Sequence, residues 1–230
     1  TDSKEKKDAI EAGLADWQHG KVEARITNNR GRDIAPKLVS CRDVYERYEF
    51  FLHIHSKKSP HADALAHWRT YLLSNLIGSK AIVKSILDAC NSDPKLGIIA
   101  PEHYATVRGS IGWGWNFDNA KKFSKRLGLD LDKNAKIDFP SGSMFWGRSA
   151  AIAPLLKIGL TAKDFPKEGG QTDGTLGHVI ERLYFFVCEK AGYRWIKIGR
   201  PELVSGTDRA LHIDESASLG LLIGSTQYDL

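Results

Sequence analysis

The chain has 230 residues, of which 42% are hydrophobic and 27% are charged, and this is the composition of an ordinary globular protein. No apolar run approaches the roughly 20 residues that a membrane-spanning helix needs. The 33 basic and 28 acidic residues intermix, which argues against a nucleic-acid-binding arm. The 3 cysteines form neither a disulfide framework nor a zinc motif, so we expect a reducing, cytoplasmic setting. Cys90 and Cys188 fall on apolar helical faces and are predicted to be buried free thiols.

Hydrophobic periodicity predicts helices and strands that alternate along the chain. The predicted helices are 4–19, 34–47, 63–77, one that Ser79 caps, 119–127, 149–158 and 174–191. Three predicted strands are 22–26, 96–100 and 194–198. A fourth is the apolar run that leads to His55, and a fifth follows a turn within 138–148. Such alternation is typical of βαβ units, so we expect an α/β fold with a mostly parallel sheet flanked by helices.

The sequence shows no internal repeat, low-complexity segment or linker, so we expect one domain over residues 1–230. Residues 200–230 have weak periodicity and are predicted to be an irregular tail that packs on the domain. The chain does not begin with Met, and Met144 is its only methionine, so we expect a fragment of a longer protein.

Four polar clusters follow or precede predicted elements, and loops after parallel strands converge on one edge of a sheet. The clusters are 28–33, 55–59, 113–116 and 168–173. The second cluster directly follows the strand that is predicted to be covered on both faces, and its ammonium, hydroxyl and imidazole groups suit an anionic ligand such as phosphate. The alternative is a solvated turn.

The glycine-flanking arginines of the first cluster, Arg30 and Arg32, lie at a helix start, where guanidinium groups and backbone N–H groups can bind phosphate. The alternative is a tight turn with solvated arginines. Arg69 can reach a ligand or an ion-pair partner, whereas its neighbour Trp68 is predicted to be a core residue. We expect His53 and His55 to face opposite sides of their strand, which disfavours a shared metal ion.

Trp113 and Trp115 lie in a glycine-rich loop and are less easily explained as core, so we expect them to stack on a sugar ring or a base. A local hydrophobic cluster is the alternative. Asp173 precedes a long predicted helix, where an Asp is a cap or a general base, and Glu168 is a second candidate carboxylate.

A set of motifs taken in order resembles the rhamnan synthesis F family, over about residues 20–190. The motifs are 29–33, 55–59, Trp68-Arg69, Pro140–Trp146, and Glu168 with 173–176. The resemblance implies a GT-A-type fold, a nucleotide-sugar donor such as dTDP-rhamnose or a UDP-sugar, and transfer to a growing bacterial cell-surface polysaccharide. It also implies that the chain lacks the first strand–helix–strand unit of that fold. GT-A enzymes carry an Asp-x-Asp metal motif, but His55-Ser56-Lys57 occupies that place here, so cationic side chains are expected to replace the metal.

The predicted roles are therefore those of an inverting glycosyltransferase with no assigned cofactor. Catalysis is assigned to Asp173 and Glu168, and acceptor binding to Trp113, Trp115 and Asn116. Donor and phosphate binding is assigned to Asn29, Arg30, Arg32, Asp33, His55, Lys57, Lys58, Ser59 and Arg69. The expected partners are the donor and a glycan acceptor, with no nucleic acid, at the inner face of the cell membrane through other segments or partners.

Two alternatives remain open at this point. The first is a non-catalytic glycan-binding or scaffolding module with a degenerate fold. The second is a nucleotidyl or phosphoryl transferase, which is disfavoured because the chain has no Gly-x-x-x-x-Gly-Lys signature and no carboxylate cluster for magnesium.

Overall fold

A computed structural model describes residues 1–56, 65–204, 210–214 and 218–225. Its centre is a five-stranded sheet with the order β1-β3-β2-β4-β5. The strands are β1 (Phe50–His53), β2 (Leu96–Pro101), β3 (Phe145–Arg148), β4 (Arg194–Gly199) and β5 (Leu211–His212). The α/β class and four of these strands agree with the sequence prediction, and β5 lies in the tail that was predicted to be irregular.

The sheet is mixed, so the prediction of a mostly parallel sheet is wrong. Strand β3 runs antiparallel to both β1 and β2, whereas β2, β4 and β5 pair in parallel. The physical reason is the long connection that precedes β3. A segment of that length can return to the sheet in either direction, and the hydrophobic pattern of a strand carries no information on its direction.

Helices cover both faces of the sheet. The α-helices of the described residues are α1 (Lys4–Gly13), which buries no residue, α2 (Arg42–Arg47), α3 (Trp68–Ile77), α4 (Lys80–Ser92), α5 (Phe117–Ser124), α6 (Ala153–Lys157), α7 (Leu176–Lys190) and α8 (Leu219–Ser225). Ile98 and Ile99 show how the faces divide, because successive strand residues point in opposite directions. Ile98 packs in the cluster that contains α5, α6 and α7, and Ile99 packs in the cluster that contains α4 and α8.

The predicted cap of α4 and the two buried thiols are found where expected, whereas α7 is capped by Thr175 and not by Asp173. Ser79 accepts a hydrogen bond from the N–H of Ile82 at the start of α4. Cys90 and Cys188 are buried free thiols. Among the described residues, none of the helices combines the length and the apolar composition needed to cross a bilayer.

The N-terminal elements differ from the prediction. The first helix ends at Gly13 and buries no residue, so its apolar side chains Ile10, Leu14 and Trp17 are exposed. The segment 22–26 is not a strand, so that prediction is wrong. Alternating residues predict a strand only where a neighbouring strand accepts its hydrogen bonds. Here the Arg25 carbonyl accepts from the amino group of Thr1, and the Arg25 side chain donates to the Ser40 carbonyl and to Asp43.

Candidate functional site

The loop that contains Gly31 is fixed against the segment before α7. Gly31 and Arg32 both have left-handed backbones, with φ values of 62° and 54°. A Cβ on Gly31 would lie 2.5 Å from the ring of Phe165, so only glycine fits this close approach. Arg30 Nη1 donates to the Phe165 carbonyl at 2.7 Å, and the Arg32 N–H donates to Glu168 Oε1 at 2.9 Å.

The predicted phosphate-binding arginines are therefore engaged in holding two loops together. The Arg32 guanidinium donates to the Gln171 carbonyl, and its Nε lies 3.9 Å from Glu168 Oε2. The Asn29 carbonyl accepts a longer hydrogen bond, of 3.4 Å, from the N–H of Glu168. The structure thus brings the first polar cluster together with Glu168, as the convergence of loops predicted, but through direct contacts within the chain.

Asp33 lies close to two histidines, His53 and His55, which are at the carboxyl end of β1. Its Oδ2 lies 3.8 Å from His53 Nε2 and 3.9 Å from His55 Nε2, and the imidazole centroids are 5.8 Å apart. The prediction that His53 and His55 face opposite sides is wrong, because side chains two residues apart in a strand point to the same side. His53 Nδ1 contacts the Ser143 carbonyl at 2.5 Å, and His55 Nε2 contacts the Gly142 carbonyl at 2.8 Å. Asp33 Oδ2 itself has no hydrogen-bond partner among the described residues.

Lys37 lies beneath Asp33 and was missed by sequence reasoning. It occupies a π-helical turn, Pro36–Ser40, and its Nζ lies 4.0 Å from the ring centroid of Phe145 and 4.1 Å from that of Tyr184. Burial lowers the pKa of this amine well below its usual value, and the nearby Asp33 offsets only part of that effect. The available signal was its position one helical turn from Ile34 and beside Leu38, on the face that the helix buries.

Two of the predicted donor-binding residues share an open cleft between the end of β1 and α3. His55 and Arg69 line this cleft of about 660 Å³ together with apolar side chains such as Ile54, Leu73 and Ile77. Arg69 is exposed. The predictions for Lys57, Lys58 and Ser59 fall outside the described residues.

Asp173 is held at the head of α7 by contacts to both of its carboxylate oxygens. Asn116 Nδ2 donates to Oδ1 at 2.5 Å, the Trp115 N–H donates to Oδ2 at 3.2 Å, and Arg182 Nη2 lies 3.5 Å from Oδ1. Burial alone would raise the pKa of Asp173, but the hydrogen bonds from Asn116 and Trp115 and the charge of Arg182 together lower it. The carboxylate is therefore ionised at neutral pH.

The two tryptophans of the glycine-rich loop have different environments. Trp115 is 81% exposed, so its ring is accessible as predicted. Trp113 is only 7% exposed and packs on Phe117 and Phe186, so the expectation that its ring is available for stacking is wrong. Asn116 is fully buried and bridges Asp173 to the Trp113 carbonyl, at 2.9 Å from the latter.

His178 connects the polar clusters and was also missed by sequence reasoning. It forms a capping box with Thr175, the N-cap of α7. Burial is the main reason that its pKa falls to about 4, and the charges of Arg32 and Arg182 lower it further against the opposing effects of Asp173 and Asp33. His178 thus interacts electrostatically with both the Asp33 and the Asp173 sides of the site. In the described parts of the chain, no three His, Cys, Asp or Glu side chains are placed to hold a metal ion.

The structure therefore defines an α/β domain with a carboxylate held at the head of a long late helix and a cleft lined by His55 and Arg69 at the end of β1. Residues 1–193 match the family described as rhamnan synthesis protein F. The chain belongs to this family, as the resemblance predicted.

Two curated relatives share the same name, "Uncharacterized protein WxcX", and come from two strains of Xanthomonas campestris pv. campestris. Each is 41% identical to this chain over 175 residues, which are 75% of this chain and 25% of the relative. The chain thus spans about a quarter of the length of the relatives that it matches. No solved structure matches the chain.

Proposed function

We propose that this chain is the glycosyltransferase domain of a protein that transfers a sugar from a nucleotide-diphosphate sugar to a growing bacterial cell-surface polysaccharide. The observation that carries the proposal is the pairing of Trp115 with Asp173. The backbone N–H of Trp115, whose indole ring is 81% exposed, donates to the ionised carboxylate of Asp173 at 3.2 Å. A sugar that stacks on the ring would present a hydroxyl close to a base.

In this reaction Asp173 removes the proton from an acceptor hydroxyl, and the hydroxyl oxygen attacks the anomeric carbon of the donor. The bond between that carbon and the diphosphate oxygen breaks, and the nucleoside diphosphate leaves with the electron pair. Cationic groups stabilise the charge that develops on the leaving group. We assign this role to Arg69 and His55, which share a cleft, together with Lys57 and Lys58.

The proposal includes a variant of the GT-A fold, with the reaction at the cytoplasmic face of the membrane. Family membership and the acid before α7 support it. The sequence His55-Ser56-Lys57, in the place after β1 where GT-A enzymes carry Asp-x-Asp, is consistent with neutralisation of the diphosphate by arginine, lysine and histidine side chains.

The test is the release of nucleoside diphosphate by the full-length protein, supplied with dTDP-rhamnose or UDP-sugars and a glycan acceptor. Asp173→Asn is expected to lower turnover by about a hundredfold or more while donor binding remains, because general bases contribute about 10²–10⁴. The control is Asp88→Asn, an exposed carboxylate on α4 that is paired only with Lys84. Turnover by Asp173→Asn at the rate of this control would refute the assigned base.

A second pair of variants tests the two ends of the site separately. Trp115→Ala is expected to weaken acceptor binding about tenfold or more, because a large apolar face is worth about 1.5–3 kcal/mol when it is buried. Arg69→Ala is expected to weaken donor binding instead. Both side chains are exposed, so the folded state should be unaffected. An Arg69→Ala protein with unchanged donor affinity would remove that residue from the donor site.

The contacts of Asp173 favour a second candidate, the non-catalytic glycan-binding module. Both carboxylate oxygens already accept hydrogen bonds, and a lowered pKa makes the carboxylate a weaker base. This candidate predicts glycan binding that depends on Trp115 and no turnover with any donor. Measurement of both properties on the same preparation separates the two candidates.

A further inference from the structure

A second cleft lies beyond the carboxyl end of β2. It encloses about 560 Å³ between the end of β2 and residues 133–138, within the range of small-molecule sites. Glu102, His103 and Trp113 form one side of it. Of the residues that line this cleft, only Trp113 was a predicted site residue, and its ring is buried.

Two buried polar atoms of residues that line this cleft have neither a hydrogen-bond nor an ion-pair partner among the described residues; a third, His103 Nε2, lies 2.9 Å from Asp138 Oδ1. Glu102 is 4% exposed, and its Oε1 accepts the His103 N–H at 2.8 Å, but its Oε2 has no partner. Trp113 is 7% exposed, and its indole Nε1 has no partner either. An unsatisfied buried polar group costs about 1–3 kcal/mol, so native structures rarely retain one without a reason.

We propose that this cleft binds an anionic saccharide. The two atoms are an acceptor and a donor, and a sugar hydroxyl is both. A hydroxyl O–H can donate to Glu102 Oε2, and a hydroxyl oxygen can accept from Trp113 Nε1. A carboxylate or phosphate ligand without hydroxyl groups would be repelled by Glu102, which favours a polyhydroxylated ligand over a simple anion.

The rim of the cleft supplies the preference for negative charge. Lys133 and Lys136 are exposed side chains on one wall, and Arg108 is fixed on the other by a hydrogen bond from its Nε to the His103 carbonyl at 3.2 Å. The acidic groups deeper in the cleft are partly neutralised, because Lys197 Nζ lies 2.7 Å from Asp138 Oδ1 and 3.5 Å from Glu102 Oε1. A negative substituent on the sugar would therefore meet the basic rim while its hydroxyls reach the floor.

The cleft is coupled to the proposed catalytic carboxylate through one side chain. Arg182 Nε donates to the Gly112 carbonyl, at 2.8 Å, in the wall of the cleft, and Arg182 Nη2 lies 3.5 Å from Asp173. A saccharide held here would lie on the other side of the Trp113–Asn116 loop from Asp173. The choice of a saccharide rests on the proposed function, and the position suits a second sugar unit of the acceptor chain.

The test uses the indole N–H signals of the protein labelled with ¹⁵N-tryptophan, which has 6 tryptophans. The signal of Trp113 is assigned by its loss in Trp113→Phe. We expect glucose 1-phosphate and glucuronate to shift this signal at concentrations at least about tenfold lower than glucose or inorganic phosphate, the effect of losing one charged hydrogen bond. The tighter of the two anionic sugars identifies phosphate or carboxylate as the preferred group.

Three variants check the assigned contacts. Glu102→Gln keeps the shape of the side chain, and Lys133→Ala with Lys136→Ala removes charge from the rim, so each change is expected to weaken binding about tenfold. Lys125→Ala, another exposed lysine, is the matched control and should bind as the wild type does.

The inference is overturned if no anionic sugar shifts the Trp113 signal, if inorganic phosphate is as effective as glucose 1-phosphate, or if the rim variant binds normally. Asp173→Asn should retain this binding even where turnover is lost, so failure of the proposed reaction leaves the inference intact. Turnover that persists without any saccharide shift would overturn the inference alone.

Discussion

Replacement of Asn116 by Ala is the most direct perturbation of the Asp173 environment. Asn116 is fully buried, and its side chain donates to Asp173 Oδ1 and the Trp113 carbonyl and accepts from the Gly174 N–H at 3.1 Å. Alanine removes all three hydrogen bonds at once. The Asp173 carboxylate keeps its contacts to Trp115 and Arg182. The change therefore measures how much the Asn116 amide alone contributes to stabilising that carboxylate.

The expected cost is about 2–4 kcal/mol of the free energy of unfolding. A hydrogen bond to a charged group contributes about 1.5–3 kcal/mol, and each backbone group left unsatisfied adds up to about 1–3 kcal/mol before water enters the space. The loss should be read from urea unfolding at pH 7. Asn119→Ala is the matched control, because that side chain makes one exposed hydrogen bond, to the Gly174 carbonyl at 3.3 Å, and should cost about 1 kcal/mol or less.

The same variant should raise the pKa of Asp173, because the hydrogen bond that Asn116 donates lowers it. A carboxylate with a lowered pKa stabilises the folded state above its unfolded pKa of about 3.9, and that contribution disappears as the pH falls through the folded value. The stability difference between wild type and variant should therefore be larger at pH 7 than at pH 3. An Asn116→Ala protein with wild-type stability and an unchanged Asp173 titration, followed by carboxyl-carbon NMR, would refute this account of the site.

Three further outcomes are expected from urea unfolding. Gly31→Ala should lower the free energy of unfolding by about 2–4 kcal/mol, because it combines a left-handed backbone with a Cβ 2.5 Å from Phe165. Gly170→Ala, where φ is 77° and the surrounding space is open, should lower it by only about 1–2 kcal/mol. Equal losses in the two variants would contradict the steric argument. Lys37→Met should raise the free energy of unfolding at pH 7 by about 1–4 kcal/mol. Burial lowers the pKa of this amine, which disfavours folding at every pH below the pKa of about 10.4 that the lysine has in the unfolded chain, so the gain should vanish above that pH. A loss of stability at pH 7 would contradict this reasoning. His178→Gln should lose less stability than the wild type between pH 7 and pH 4.5. His178 has a pKa of about 4 in the folded protein, so it opposes folding once the same histidine is protonated in the unfolded chain, near pH 6.5. Stability curves of the two proteins that run parallel over this pH range would contradict the prediction.

The parts of the fold that could be predicted are those that local sequence determines. Helix α4 has a serine cap and an apolar stripe, and α7 has a stripe long enough to leave no competing interpretation. Strands β1 and β2 are short apolar runs that end at a polar or proline-containing turn. None of these features depends on which element lies beside them.

The errors concern properties that depend on a distant partner. The direction of β3 and the unpaired segment 22–26 depend on which strand lies beside them. The burial of Trp113 depends on Phe186 in α7, a contact that its local glycine-rich sequence does not indicate. Lys37 shows the converse case, because a residue type that is usually exposed is buried under aromatic rings from other elements.

The contacts within the site also decide which cations remain for a donor diphosphate. The guanidinium groups of Arg30 and Arg32 donate to backbone carbonyls of the segment before α7. The guanidinium group of Arg182 contacts Asp173 and the Gly112 carbonyl. Their guanidinium groups would have to leave these partners in order to bind phosphate, at the cost of the charged hydrogen bonds that they now make. Arg69 is exposed in the cleft that it shares with His55, and it makes no ion pair with the described residues. Under the proposed reaction, the negative charge of the donor is therefore expected near Arg69 and His55, and the acceptor hydroxyl near Asp173.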